Sequence, residues 1–470
     1  MSPSHPEPDP PITATGRVAR AGGRAVDATR WALVLWARWA LMDLGPRAVL
    51  ASRAKRGDAL AQILTGRGGW GSQYPAFETI RAAGRLVPSR LGVATVDHAL
   101  CREILRDRRF ATVTPDDLGM PGPLRGILAR TDPGLPNPVE PPAMLVSEPP
   151  DHTRYRQLVA RSFTPRSIET MRDRVGELSR TLLDRLEQRP TAELIGEYAT
   201  MLPVTVIAEL LGLPDEAHEP FIEWGEQAAP LLDVGLDWRT FRRACGGLRS
   251  MDRYLRDHFA RLRADGDAPG ESDPSAAHPF TRLARDGELT ERELITNAAL
   301  LVGAGFETTV NLIGNGVVLL LQHPEQLAAL REDPGGWPNA VEEILRFESP
   351  VQMTGRTATE PVTLADRDLP AGAVVSLLLA GANRDPAVFD RPGEFDITRT
   401  NARDNLAFGT GIHACIGAAL ARMEATVALP ALFERFPDLG LATAPDPSQN
   451  VTLHGFRRVE VRLGRARKHV

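Results

Sequence analysis

The sequence predicts a mostly α-helical protein with a small β region, and three observations carry that expectation. Helical patterning runs through residues 151–262, one further helix from Thr290 to about Gln322 is unusually long, and strand signals are confined to short runs such as Val374 to Leu379 and Val451 to Leu463. Thr290 and Glu293 form a capping-box pattern at the start of the long helix, and His323-Pro324 ends it. At the helical rise it is on the order of 48 Å long, enough to cross a whole domain.

Residues 1–30 are rich in Pro, Ala, Gly and Arg and read as a tail. The run from Trp31 to Met42 is apolar except for Arg38 and stops at Asp43, Gly45 and Pro46, too short to span a bilayer as a helix. It reads as a helix packed on the body of the protein; a helix resting on a membrane surface with its tryptophans in the interface is the alternative. A helix is expected from Tyr74 to Ala83, two short strands between Arg85 and Val96, and a helix from Asp97 to Arg106. Residues 111–150 are dense in Pro and Gly with little periodicity, which suggests a long functional loop. Residues 264–279 read as a surface linker, and a last helix follows Cys415. The chain divides into an N-terminal extension, 1–70, and one domain, 71–470.

The balance of 43% hydrophobic and 24% charged residues is that of a soluble globular protein. A net charge of −5 offers no basic excess to neutralise phosphates, which argues against nucleic-acid binding. Lys55 and Lys468 are the only lysines, so a cationic docking patch would be built from arginine. The cysteines are Cys101, Cys245 and Cys415; their number is odd, no CxxC pair exists and no secretory signal opens the chain. A disulfide framework is not expected, and the default compartment is the cytoplasm.

Four segments carry chemistry. In Phe408-Gly-Thr-Gly-Ile-His-Ala-Cys415-Ile-Gly417, a cysteine sits in a glycine-punctuated loop just before a helix. The glycines allow positive φ and close approach to something bulky, and the helix start favours a thiolate. Such a loop alone fits a haem ligand, a nucleophile or an inert buried cysteine. Upstream, Glu343 and Arg346 are one helical step apart and can pair, as surface residues at this spacing commonly do. Within the long helix, Ala304-Gly-Phe-Glu307-Thr308-Thr309 is locally unfavourable, since Gly305 weakens the helix and Thr308 can bond back to a carbonyl one turn earlier. Either the helix packs closely there, or it opens a groove in which an acid and an alcohol deliver protons. Finally, His152 and Arg156 share a helical face, and Arg356 and His413 lie further on; each alone would read as a solvated surface group.

In this order and spacing, the segments from Tyr74 to Leu463 resemble the cytochrome P-450 family. The resemblance implies a single triangular, helix-rich body enclosing one haem b, with Cys415 as the metal ligand. It makes Phe408, Gly409, Gly417 and Ala304 cofactor-binding positions, and His152, Arg156, Arg356 and His413 partners of the haem propionates. It casts Glu343 and Arg346 as a structural clamp. Its usual third member is missing from Pro392-Gly393-Glu394-Phe395, which leaves Arg391 or Arg399 to substitute. Glu307 and Thr308 match the family's catalytic acid–alcohol pair. Substrate-facing positions would be Leu301, Ala304, Val351, Gln352, Thr354 and Leu453, mostly apolar. The implied function is monooxygenation, one oxygen atom of O2 inserted into a hydrophobic small molecule. Electrons would come from a separate ferredoxin and ferredoxin reductase that dock through arginines near the cysteine (Arg154, Arg161, Arg403, Arg422). A haem-thiolate isomerase or gas sensor that needs no external electrons is the alternative.

Overall fold

Thr290 caps the long helix as its sequence requires: its hydroxyl accepts the Glu293 N–H at 3.3 Å, and the Glu293 carboxylate accepts the Thr290 N–H at 2.8 Å. The helix then runs unbroken over Glu291–Gln322. It is apolar enough to cross a membrane, but it is mostly buried, because six other α-helices among the described residues pack against it. The computed structural model describes residues 29–66, 70–89, 91–118, 122–160, 163–265 and 287–466, together with Leu283. Most of the tail predicted over 1–30, all of the linker predicted over 264–279 beyond Asp265, and Arg161 lie outside these residues.

Around the core helix lie Arg172–Leu186, Met201–Leu211, His218–Ala228, Trp238–Asp265, Trp337–Phe347 and Ala418–Arg435. The β region is as small as its short strand signals predict. Its main sheet has five strands in the spatial order Val87–Ser89, Gly92–Thr95, Val374–Leu377, Thr354–Ala358, Phe110–Thr112. Only the pairing of Gly92–Thr95 with Val374–Leu377 is parallel. The helix expected from Asp97 is there, with the Asp97 carboxylate accepting the Leu100 N–H at 2.8 Å. The 111–150 stretch differs from its reading as a plain loop: it holds a nine-residue helix, Gly122–Arg130. Gly122, Pro123 and Gly126 dilute the periodicity that would have announced it.

Residues 29–55 form one helix with a π turn at Ala40–Leu44, and it packs on the body. Leu35, Trp31 and Trp39 join a cluster with Leu135, Phe241, Cys245 and Leu248. The mid-run Arg38 is buried, pairing with Glu140 and donating to the Leu128 carbonyl at 3.2 Å. Removing one partner of a buried pair like this costs on the order of 3 kcal/mol. Trp39 donates to the Leu236 carbonyl at 2.9 Å, and buried Asp43 accepts the N–H groups of Gly235 and Leu236 at 3.2 and 2.9 Å. The helix therefore ties the 122–140 segment to the 235–236 turn.

Candidate active site

The cysteine loop is folded by its glycines. Gly409 and Gly411 have φ of +63° and +79°. A Cβ on Gly411 would come within 2.2 Å of the Leu105 carbonyl oxygen, so no other residue fits. The Cys415 N–H donates to the Phe408 carbonyl at 2.9 Å, closing the loop just before the helix Ala418–Arg435. Water can reach Cys415, yet the surrounding protein pushes its thiol pKa up by desolvation. Against burial act the backbone N–H groups of Gly417 and Ala418 and the charges of Arg156 and Arg422, all favouring thiolate.

Glu343 and Arg346 are fully buried and bonded through both carboxylate oxygens at 2.7 Å. The remaining three N–H groups of Arg346 reach the carbonyls of Asn383 and Pro392 at 3.0 Å and of Glu394 at 2.9 Å, so all five donors are used. The third member is Arg399, 3.2 Å from the Glu343 carboxylate and buried, while Arg391 is exposed and pairs with Glu394. Asn383 extends the network by accepting the Leu406 N–H at 2.6 Å, two residues before Phe408. The neighbouring Glu342, which sequence reasoning passed over, binds Arg422 at 2.7 Å and Asn405 at 3.0 Å, gripping the loop from both ends.

His152, Arg156, Arg356 and His413 converge. The two histidine rings lie 4.2 Å apart, His413 Nε2 is 3.3 Å from the Glu148 carboxylate, and Arg156 lies in the field of Cys415. Burial lowers the pKa of His152 to about 4, helped by His413 and Arg156, so its ring is neutral at pH 7. Glu148 is brought down to about 2: burial opposes its charge, but His413 and the Thr112 N–H and hydroxyl overcome it. Arg356 is buried, and among the described residues its head group reaches only the Gly355 carbonyl at 2.7 Å and the Thr354 hydroxyl at 3.4 Å. Arg156 is half-buried and forms no ion pair among the described residues. Desolvation lowers the pKa of both. Guanidinium groups so placed call for anionic partners. A cofactor with two carboxylates beside a free sulfur ligand fits this donor set.

On the core helix, Ala304 is exposed although Ala299–Val302 and Thr309–Leu320 are buried, so a small residue faces a space at mid-helix. The Thr308 hydroxyl donates to the Ala304 carbonyl at 2.8 Å, and buried Thr309 does the same to Gly305 at 3.2 Å. The Glu307 carboxyl has no hydrogen-bond partner among the described residues. Its pKa rises to about 8, through burial first and then the nearby Glu226 and Asp233. Those two acids went unnoticed in the sequence. The close approach of Gly225 to the Phe306 ring brings Glu226 to the core helix. Asp233 is anchored by the N–H groups of Val451 and Thr452, both at 2.8 Å.

The positions expected to face substrate are placed unevenly. Val351 and Leu453 form a β-bridge, Val351 and Thr354 are half-buried, and Leu453 and Leu301 are buried. Gln352 is fully buried and donates to the Ser349 carbonyl at 2.6 Å, so it braces the segment.

A cytochrome P450 family profile matches residues 338–451. A Mycobacterium tuberculosis protein named cytochrome P450 140 is 42% identical over 437 residues, 92% of this chain and 98% of its own. The vitamin D(3) 25-hydroxylase of Pseudonocardia autotrophica is 37% identical over 409 residues, 84% of this chain and 94% of that one. Among solved structures, Mycobacterium smegmatis CYP164A2 matches with a TM-score of 0.75 at 33% identity, over 86% of this chain and 99% of that one. The chain belongs to the cytochrome P450 family. Its fold, its thiolate-ligated haem and its reaction class, monooxygenation with electrons from redox partners, are those of the bacterial members.

The clamp yields a prediction. Glu343→Gln leaves Arg346 and Arg399 buried without their anion, a loss of about 3–5 kcal/mol. It should lower the melting temperature and the haem content of the purified protein, whereas Arg391→Ala should leave both unchanged. Full haem content and an unaltered melt in Glu343→Gln would contradict the clamp.

Proposed function

We propose that this chain inserts one oxygen atom of O2 into a hydrophobic organic substrate, with Cys415 as the axial ligand of the haem. The observation that carries this reading is the donor set: a cysteine at a helix start beside two guanidinium groups, Arg156 and Arg356, that form no ion pair among the described residues. Arg156, Arg356, His152 and His413 hold the two propionates, and Phe408, Gly409 and Gly417 shape the loop against the ring. Bound there, the haem supplies the activation of O2 and the oxygen transfer itself. The protein's work is to bind, orient and deliver protons. At neutral pH Glu307 is protonated and so a donor, as buried carboxylic acids can be. The Thr308 hydroxyl, giving its own hydrogen to Ala304, keeps its lone pairs for a proton-bearing water in the groove.

Electrons come from a ferredoxin served by its reductase, docking on the side nearest Cys415. Of the arginines expected there, Arg154 and Arg422 are committed to Glu293 and Glu342, while Arg403 is exposed. Arg106, whose Cα lies 3.2 Å from where a Gly411 Cβ would stand, is exposed and joins it. The free thiols of Cys101 and Cys245 support a cytoplasmic location.

Three outcomes are expected. Thr308→Ala should bind substrate and accept electrons but divert them severalfold more to hydrogen peroxide, measured as NADH consumed against product and peroxide formed. Unchanged coupling would remove Thr308 from proton delivery. Turnover should fall as pH rises through about 8, where Glu307 ionises and ceases to donate. Glu307→Gln, unable to ionise, should be slower and flat across that range, and a profile like that of the unaltered protein would refute the assignment. Lastly, reduction by an acidic ferredoxin should slow with rising salt, and Arg106→Glu should slow it roughly tenfold at low salt; rates indifferent to both would exclude an arginine docking face.

A further inference from the structure

Nine large hydrophobic side chains are exposed among the described residues, and seven of them lie on three segments that are bonded to one another. Leu33, Trp36, Leu44 and Val49, between 44% and 64% exposed, project from the helix over residues 29–55. Leu124 and Ile127 project from Gly122–Arg130, and Val234 from the turn beside Gly235. Arg38 bonds the first segment to the second at the Leu128 carbonyl, and Asp43 and Trp39 bond it to the third at Gly235 and Leu236. Seven exposed apolar side chains gathered on three mutually bonded segments mark an interaction surface.

Charge identifies the partner. Between residues 29 and 58 the cations Arg30, Arg47, Lys55 and Arg56 are exposed and Arg53 half-exposed, and none forms an ion pair among the described residues. The only acids there turn inward: Asp43 is buried, and Asp58 caps the next helix at Ala61 N–H and accepts the Ser89 hydroxyl. Arg125 and Arg130 add exposed charge on the neighbouring helix. Exposed Asp237 stands at the edge, near Arg47, and is engaged by the N–H groups of Arg239 and Thr240. A chain of net charge −5 thus turns an apolar, cationic face outward. A second copy of the chain meeting it symmetrically would set like charges together. Tryptophan and leucine flanked by Arg and Lys match the interface of an anionic bilayer.

We propose that this face seats the protein on an anionic lipid surface, with Leu33 and Trp36 entering the headgroup boundary. The helix thereby has two working sides: one holds the 122–140 and 235–236 segments together, and the other meets lipid. The surface stands independently of the chemistry assigned to Cys415.

The test is co-sedimentation of the haem-loaded full chain with vesicles of phosphatidylglycerol and phosphatidylcholine, against phosphatidylcholine alone. Binding to the mixed vesicles is expected to be at least tenfold tighter and to weaken with salt. The double substitution Leu33→Glu, Trp36→Glu should abolish it, and the triple substitution Arg47→Glu, Lys55→Glu, Arg56→Glu should remove the preference for anionic lipid, with the carbon-monoxide spectrum and melting temperature unchanged in both. Equal binding by the double variant, or no binding to anionic vesicles, overturns the proposal. So does a dimer in sedimentation velocity that the double variant dissociates, since the face would then be covered by a second copy.

Discussion

Arg346 has no exposed surface, and all five of its N–H groups end on protein oxygens. A guanidinium can be kept inside a protein only under such terms. Because three of those oxygens are backbone carbonyls at residues 383–394, the charge fixes the path of the irregular chain leading to the cysteine loop. Asn383 passes the constraint to Leu406, and Glu342 passes it to Asn405 and Arg422, whose guanidinium covers the Phe408 ring at 4.5 Å. The loop that holds Cys415 contains two glycines in left-handed conformation and closes on itself from the Cys415 N–H to the Phe408 carbonyl. The clamp fixes where that closed loop sits.

The site sets two kinds of incomplete electrostatics side by side. At the His152–His413 cluster, Glu148 answers His413, His152 is kept neutral, and Arg156 and Arg356 form no ion pair among the described residues; an anionic cofactor completes that region. On the core helix, an acid is surrounded by other acids and by apolar protein, so it keeps its proton at neutral pH. The first arrangement holds a cofactor and the second donates protons. Both cost folding stability, which the burial of apolar surface around the long core helix offsets.

Much of this was legible in the sequence. The capping box of Thr290 and Glu293, the hairpin before Val96 and the ten-residue cysteine pattern are local, and local chemistry decides them. The helix Gly122–Arg130 was hidden by its glycines and proline. The choice between Arg391 and Arg399 could not be read from spacing, because it turns on which side chain the chain path points inward; Arg391, at φ +43°, points out to its own neighbours. Glu342 stands next to the matched Glu343 and has partners, Asn405 and Arg422, far along the chain, and Glu226 and Asp233 stand far from Glu307 in sequence. Arg154 and Arg422 looked like docking charges because nothing in one dimension reveals that Glu293 and Glu342 wait for them.

The central claim is that Cys415 carries the iron. The measurement closest to it is the absorption spectrum of the reduced protein under carbon monoxide, taken for the unaltered chain and for Cys415→His. The account predicts a strongly red-shifted Soret band of thiolate ligation in the first and its loss in the second, with haem still bound through imidazole. The same red-shifted band in Cys415→His would place the thiolate elsewhere and contradict the account.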